Sequence, residues 1–107
     1  MTHKEVEEYV LSMPNAVLEY PFGEEVAVYK VDSHMFALIA EGKEPVSLSL
    51  KCDPQLAVVL REKYDTVMPG YHLNKKNWNT IVLSGEIPWE EVQAFIRHSY
   101  DLVVAAN

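Results

Sequence analysis

The architecture of this protein follows from residues 26–51, which read VAVYKVDSHMFALIAEGKEPVSLSLK. Three β-rich runs lie within this segment, at Val26–Val31, Met35–Glu41 and Pro45–Lys51. The connections between them, residues 32–34 and 42–44, are short and carry turn formers. Such connections join antiparallel neighbours, because a parallel crossover needs a dozen or more residues. The segment therefore predicts an antiparallel meander of three strands.

The third run also fixes which side chains face inward. Val46, Leu48 and Leu50 alternate with Ser47 and Ser49. Because successive side chains of a strand point to opposite faces, we expect the three apolar residues to face the helices and the serines to face away. A shift of one residue would exchange the two faces.

Helical patterns flank the meander. Thr2 and Glu5 have the spacing of a capping box, which predicts a helix over residues 3–12. Asp53-Pro54 is an N-cap followed by a favoured first helical residue, and this second helix is predicted to end near Tyr64. A third helix is predicted from about Trp89. The apolar spacing predicts these buried positions: Val6, Tyr9, Val10 and Met13; Leu56, Val59, Leu60 and Tyr64; Val92, Ile96, Tyr100 and Val103.

A fourth strand is predicted at Trp78–Leu83, whereas residues 14–23 are predicted to form an irregular connection. The order is then α-β-β-β-α-β-α. We predict an α+β fold of two layers, an antiparallel sheet with the helices packed on one face. The length of 107 residues suits one domain, 1–107.

Composition narrows the cellular context. No segment approaches the roughly 20 apolar residues of a membrane-spanning helix, and the N-terminus lacks the basic start and apolar run of a signal peptide. We therefore expect a cytoplasmic protein with no membrane partner. The single cysteine, Cys52, is interpreted as a small core residue at a strand end.

Charge is distributed unevenly along the chain, whose formal net charge is −7. Residues 1–50 hold nine acidic and three basic residues, and residues 86–107 hold four acidic and one basic. Residues 51–85 hold three acidic and five basic residues. Because phosphate binding is driven by Lys and Arg, only this middle third suits an anionic partner.

Catalytic patterns are missing from the sequence. It has neither a GxSxG motif nor a glycine-rich phosphate loop, and its four histidines are scattered. Adjacent acid pairs such as Glu24-Glu25 point in different directions and are typical of a solvated surface. We predict no enzymatic activity, no metal site and no cofactor.

Residues 71–80, YHLNKKNWNT, combine cations, aromatic rings, carboxamides and a hydroxyl after the turn formers Pro69-Gly70. Such a mixture suits a phosphate and a stacked base. The predicted nucleic-acid or ligand site comprises Lys51, Tyr71, His72, Asn74, Lys75, Lys76, Trp78 and Asn79. A structural interpretation stands beside it, in which Trp78 anchors the core, Asn74 caps a turn and the lysines are solvated. For Trp78 we favour the core.

The same segment carries a family resemblance. Residues 69–80, with Val46-Ser47-Leu48 before Asp53-Pro54 and the closing residues 98–103, resemble the MmcQ/YjbR family. The likeness covers nearly the whole chain, and its central signature is His-Leu-Asn-Lys followed by Trp-x-Thr. One departure is Asn77, at a position that is often His in the family.

The resemblance implies a fold similar to CyaY, the bacterial frataxin, and DNA binding through a double-wing motif. The frataxin likeness also suggests iron binding, but Glu5, Glu8, Glu24 and Glu25 form no ligand set of defined geometry. Three hypotheses follow. The first is a module that binds DNA weakly, or another phosphate-bearing ligand. The second is a protein-interaction domain with an acidic body, and the third is a small-molecule-binding domain beside Tyr71 and Trp78.

Overall fold

The computed structural model describes residues 1–106, so the predicted domain end at Asn107 lies outside the described residues. Within these residues the chain forms three helices and six strands. In chain order they are α1 (His3–Leu11), β1 (Val17–Glu19), β2 (Val26–Val31), β3 (His34–Ala40), β4 (Ser47–Lys51), α2 (Pro54–Lys63), β5 (Val67–Pro69), β6 (Trp78–Val82) and α3 (Trp89–Ala105).

One antiparallel sheet contains all six of these strands in the order β1-β2-β3-β4-β6-β5. The predicted α+β class, the three helices and the four longer strands are confirmed. The structure adds β1 and β5, short edge strands of three residues each. β1 lies inside residues 14–23, the predicted irregular connection. It forms by pairing with β2, and three residues are too few to show an alternating pattern in the sequence.

The predicted register of β4 is confirmed. Val46, Leu48 and Leu50 lie in the main core together with buried residues of all three helices. Ser49 points to the other face, where its Oγ lies 2.8 Å from Oγ1 of Thr80 on β6. The alternation of strand side chains thus separates the apolar core from a polar pair on the opposite face.

Local capping and one buried hydroxyl position the helices. Asp53 Oδ2 accepts the N–H groups of Gln55 and Leu56, both at 3.1 Å, as expected for the N-cap of α2. On α3, the buried Ser99 Oγ donates to the carbonyl of Phe36 at 2.5 Å and accepts the N–H of Lys51 at 2.9 Å. Ser99 therefore fixes α3 across β3 and β4 at one point.

The buried stripe of α2 differs from the predicted one. Val59 was predicted to be buried, but it is 54% exposed, whereas Ala57 and Leu60 are buried. A helix turns about 100° per residue, so a small rotation moves Val59 out and Ala57 in. The helix packs against the edge strand β5 and its neighbour β6, where the small side chain of Ala57 allows a close approach.

A second, smaller apolar cluster lies on the sheet face opposite the helices. It is formed by Val28, Leu38 and Trp78, with Leu73 packed against it. Trp78 is only 7% exposed, so its predicted role as a core residue is confirmed, although on the face away from the helices. No helix in the described part of the chain is long and apolar enough to cross a membrane.

Replacing Trp78 with Ala is expected to lower the free energy of unfolding by roughly 3–5 kcal/mol, because a large buried ring leaves a cavity. Urea unfolding of the variant and the parent measures this loss. Tyr71→Ala is the matched control, since Tyr71 is 71% exposed and exposed substitutions change stability by about 0.5 kcal/mol or less. Equal losses in the two variants would contradict the assignment of Trp78 to the core.

Candidate functional site

The predicted site lies on the loop between β5 and β6, residues 70–77, which we call the signature loop. The N–H of Gly70 donates to the carbonyl of Trp78 at 2.8 Å and closes the loop at its base. A Cβ on Gly70 would lie 2.7 Å from Cβ of Trp78, so this close approach requires glycine. The loop is thereby held against the start of β6.

Hydrogen bonds inside the signature loop fix its shape. The Tyr71 N–H donates to Thr80 Oγ1 at 3.0 Å, and Lys75 Nζ donates to the Gly70 carbonyl at 3.1 Å. Asn74 Oδ1 accepts the N–H of Lys76 at 2.9 Å. Asn74 thus stabilises a turn through its side chain, as the structural interpretation predicted. Lys75 points its ammonium back toward the loop base.

Arg61 of α2 holds the loop from the other side. Its Nε donates to Asn79 Oδ1 at 2.7 Å, and its Nη2 donates to the carbonyls of Trp78, at 3.2 Å, and Lys75. The Nδ2 of the Asn79 carboxamide is also hydrogen-bonded, because it donates to the carbonyl of Ala57 at 3.3 Å. Asn79 is 2% exposed, so this predicted site residue serves to join α2 to β6.

An open groove of about 530 Å³ runs between α2 and the signature loop. The residues that line it are Pro54, Gln55, Val58, Arg61 and Lys76. Lys76 is exposed, and within residues 1–106 its ammonium has no hydrogen-bond or ion-pair partner. Nη1 of Arg61 likewise has no hydrogen-bond partner among these residues. Two cationic groups therefore face one groove and can bind an anion there.

Outside the lining of the groove, the same loop exposes two aromatic rings. The rings of Tyr71 and His72 lie 4.0 Å apart between centroids, tilted by 55°. His72 has a φ of 58°, a left-handed conformation that is uncommon for a residue other than glycine. Lys51 lies opposite Trp78 in the β4–β6 pairing and is partly buried.

The structure thus places the eight predicted site residues in different surroundings. Tyr71, His72 and Lys76 are exposed with side chains free to meet a ligand. Trp78 and Asn79 are buried, and Asn74 and Lys75 are used in the loop itself; Lys51 lies beside the loop. Arg61 was not among the residues predicted from the sequence, because its partners lie 14 to 18 residues further along the chain and leave no local pattern.

Cys52 lies directly after β4, at the end away from the β3–β4 connection. Its surroundings do not activate the thiol. It is 5% exposed, and burial raises the pKa of its thiol to about 11, with a further contribution from the charge of Asp53. A cavity beside it, lined in part by His98, has a volume of about 10 Å³. That is about the space of one water molecule, which excludes a substrate.

The guanidinium of Arg61 is expected to be irreplaceable by an ammonium, because it satisfies three acceptors with a planar fork. Arg61→Lys should lower the free energy of unfolding by about 1.5–3 kcal/mol, the range of hydrogen bonds to charged groups. Lys63→Ala on the same helix turn is the control, since Lys63 is exposed and only approaches the ring of Tyr64, at 5.1 Å. Chemical denaturation compares the two, and an unchanged Arg61→Lys would contradict the assigned role.

The thiol of Cys52 is expected to resist modification in the folded protein. At pH 8 a group with a pKa of about 11 is almost wholly protonated, and the thiolate is the reactive form. A disulfide reagent that releases a coloured thiol should react slowly with native protein and promptly after unfolding in urea. Rapid stoichiometric reaction of the native protein would show that the thiol is exposed and activated.

Similarity to known sequences identifies the family of this chain. The sequence model of the YjbR family matches residues 11–102. The chain is 33% identical over 102 residues to the uncharacterized protein YbdF of Escherichia coli O157:H7. This alignment covers 95% of this chain and 84% of that protein. It is 32% identical over 104 residues to the uncharacterized Escherichia coli protein YjbR, covering 97% and 88% of the two chains.

Solved structures agree with the sequence relatives. A crystal structure of the Deinococcus radiodurans protein DR2400 superposes with a TM-score of 0.92 at 37% identity, covering 96% of this chain and 78% of that one. A crystal structure of a Pseudomonas syringae protein gives a TM-score of 0.82 at 25% identity, with coverage of 96% and 99%. With a family match that extends over most of its length, this chain belongs to the YjbR family.

Proposed function

We propose that this protein binds the phosphate groups of nucleic acid, weakly and without sequence preference, at the groove between α2 and the signature loop. The observation that carries the proposal is the position of Lys76. Lys76, whose ammonium has no partner within residues 1–106, lines the same open groove as Arg61. Both lie within the one third of the sequence where basic residues outnumber acidic ones. Phosphate oxygens accept hydrogen bonds from both kinds of cation.

The arrangement explains why the binding is weak. Affinity for nucleic acid rises with the number of phosphates that Lys and Arg neutralise. Arg61 already donates three hydrogen bonds to other groups of the protein, and the ammonium of Lys75 already donates to the carbonyl of Gly70. Only a few cationic donors remain for the ligand, and the net charge of −7 repels the rest of a polyanion.

Lys75 and Lys76 provide a matched pair for the test. Lys76→Ala should lower the affinity for all DNA sequences about equally and reduce the slope of log K against log salt by nearly one unit, since one phosphate contact is lost. Lys75→Ala removes the same charge from the neighbouring residue, but its ammonium is already bound to Gly70. It should therefore change the slope less and lower the unfolding free energy by about 0.5–1.5 kcal/mol. Fluorescence anisotropy at several salt concentrations measures the first effect.

A distant control separates contact from overall charge. Lys43 is exposed in the connection between β3 and β4, so Lys43→Ala removes one positive charge without touching the groove. It should leave the salt slope unchanged. If Lys76→Ala binds DNA as tightly as the parent, or if the parent fails to bind at low salt, the proposal is wrong.

A second candidate, a protein-interaction domain, is favoured by one surface at the opposite edge of the sheet. Phe22 is 64% exposed on a turn closed by the N–H of Gly23, which donates to the Tyr20 carbonyl at 3.3 Å. The acidic residues Glu24 and Glu25 follow it and are exposed. An aromatic side chain held out on a turn beside acids suits a partner with an apolar pocket and basic rim. This candidate takes precedence if DNA does not bind.

A further inference from the structure

We infer that the nucleic acid taken at this groove is single-stranded, with one unpaired base stacked on the Tyr71–His72 ring pair and a phosphate of the same strand on Lys76. The inference rests on the proposed function above and adds the class of ligand to it. Single-stranded DNA and single-stranded RNA share this chemistry, because both offer unpaired bases and a phosphate backbone.

The first observation is an aromatic surface that the fold leaves uncovered. Tyr71 is 71% exposed, although the small apolar cluster around Trp78 lies next to the same loop. Among residues 1–106, the one aromatic ring that its ring contacts is that of His72, at 4.0 Å between centroids. A base can stack on such a ring whatever its identity, since every base has a π-face.

The second observation is that hydrogen bonds order the loop backbone that carries these rings. The Tyr71 N–H is bound to Thr80 Oγ1, and Gly70 is bound to Trp78. His72 keeps a left-handed backbone, with a φ of 58°, which costs free energy that the surrounding hydrogen bonds must offset. Because the backbone that carries the rings is already ordered, a ligand has less of the loop to order when it binds.

The third observation is the charge balance, which disfavours a duplex. Double-stranded DNA is stiff and carries one charge per about 1.7 Å of its axis, so docking it at one groove brings further phosphates over the acidic remainder of the chain. A flexible single strand can bend away from these acids and still contact Lys76 in the groove. The bases of a duplex are also stacked on one another already, and they cannot stack on Tyr71 unless they are unpaired.

The experiment compares labelled strands of about 12 nucleotides, within the site sizes of single-strand modules. Anisotropy titrations use single-stranded DNA, single-stranded RNA of the same sequence, and the DNA duplex, each at low and moderate salt. We expect either single strand to bind more tightly than the duplex. Whichever single strand binds more tightly identifies the source of the ligand.

Three variants test the stacking contact. Tyr71→Ala should weaken single-strand binding by roughly 5- to 150-fold, the effect of one stacked base, while Tyr71→Phe should keep the parent affinity. Phe22→Ala is the matched control, because Phe22 is also a highly exposed aromatic residue, at 64%, but lies on the turn before β2. It should leave binding unchanged.

The failures of the two proposals are distinguishable. If the duplex binds as tightly as the single strands, or if Tyr71→Ala binds like the parent, while Lys76→Ala still weakens binding, the stacking inference is wrong and the phosphate contact stands. If no nucleic acid binds at low salt, or if Lys76→Ala has no effect, the proposed function fails and the inference fails with it.

Discussion

The contact between the guanidinium of Arg61 and the buried carboxamide of Asn79, 2.7 Å from Nε to Oδ1, is the interaction on which the groove between α2 and the signature loop depends. A carboxamide that is 2% exposed must be hydrogen-bonded, and Asn79 meets that requirement with Arg61 and with the carbonyl of Ala57. The same guanidinium binds the carbonyl of Lys75. One cation therefore sets the distance between α2, β6 and the signature loop, and that distance defines the groove.

Charge on this small domain is separated along the chain. In the acidic first half, Glu7 accepts a hydrogen bond of 2.5 Å from Tyr29, and burial together with this carboxylate raises the pKa of the Tyr29 phenol. The basic residues Arg61, Lys75 and Lys76 lie at the other edge of the sheet, around β5 and β6. The negative net charge thus does not describe the groove, whose charged lining residues are Arg61 and Lys76.

The elements that were predictable from sequence are those with local signals. The alternation from Val46 to Leu50 and the Asp53-Pro54 cap identify β4 and the start of α2, because strand period and capping are properties of neighbouring residues. β1 and β5 exist only through pairing with a longer strand. Likewise the exposure of Val59 depends on where α2 lies on the sheet. For the candidate site, the sequence predicted the signature loop. Arg61 could be assigned to the site only from the fold, which places it against the loop.

The residues that carry the family resemblance mostly build the loop. Leu73 and Trp78 pack in the small apolar cluster, Asn74 and Lys75 bond within the loop, and Thr80 accepts the N–H of Tyr71. Asn77, where the family often has His, contributes its backbone, since its carbonyl accepts the N–H of Cys52 at 2.7 Å. Its side-chain type is therefore not needed for loop closure. The motif thus specifies the shape of the loop, and in the proposed function the exposed side chains of Tyr71, His72 and Lys76 are left to contact the ligand.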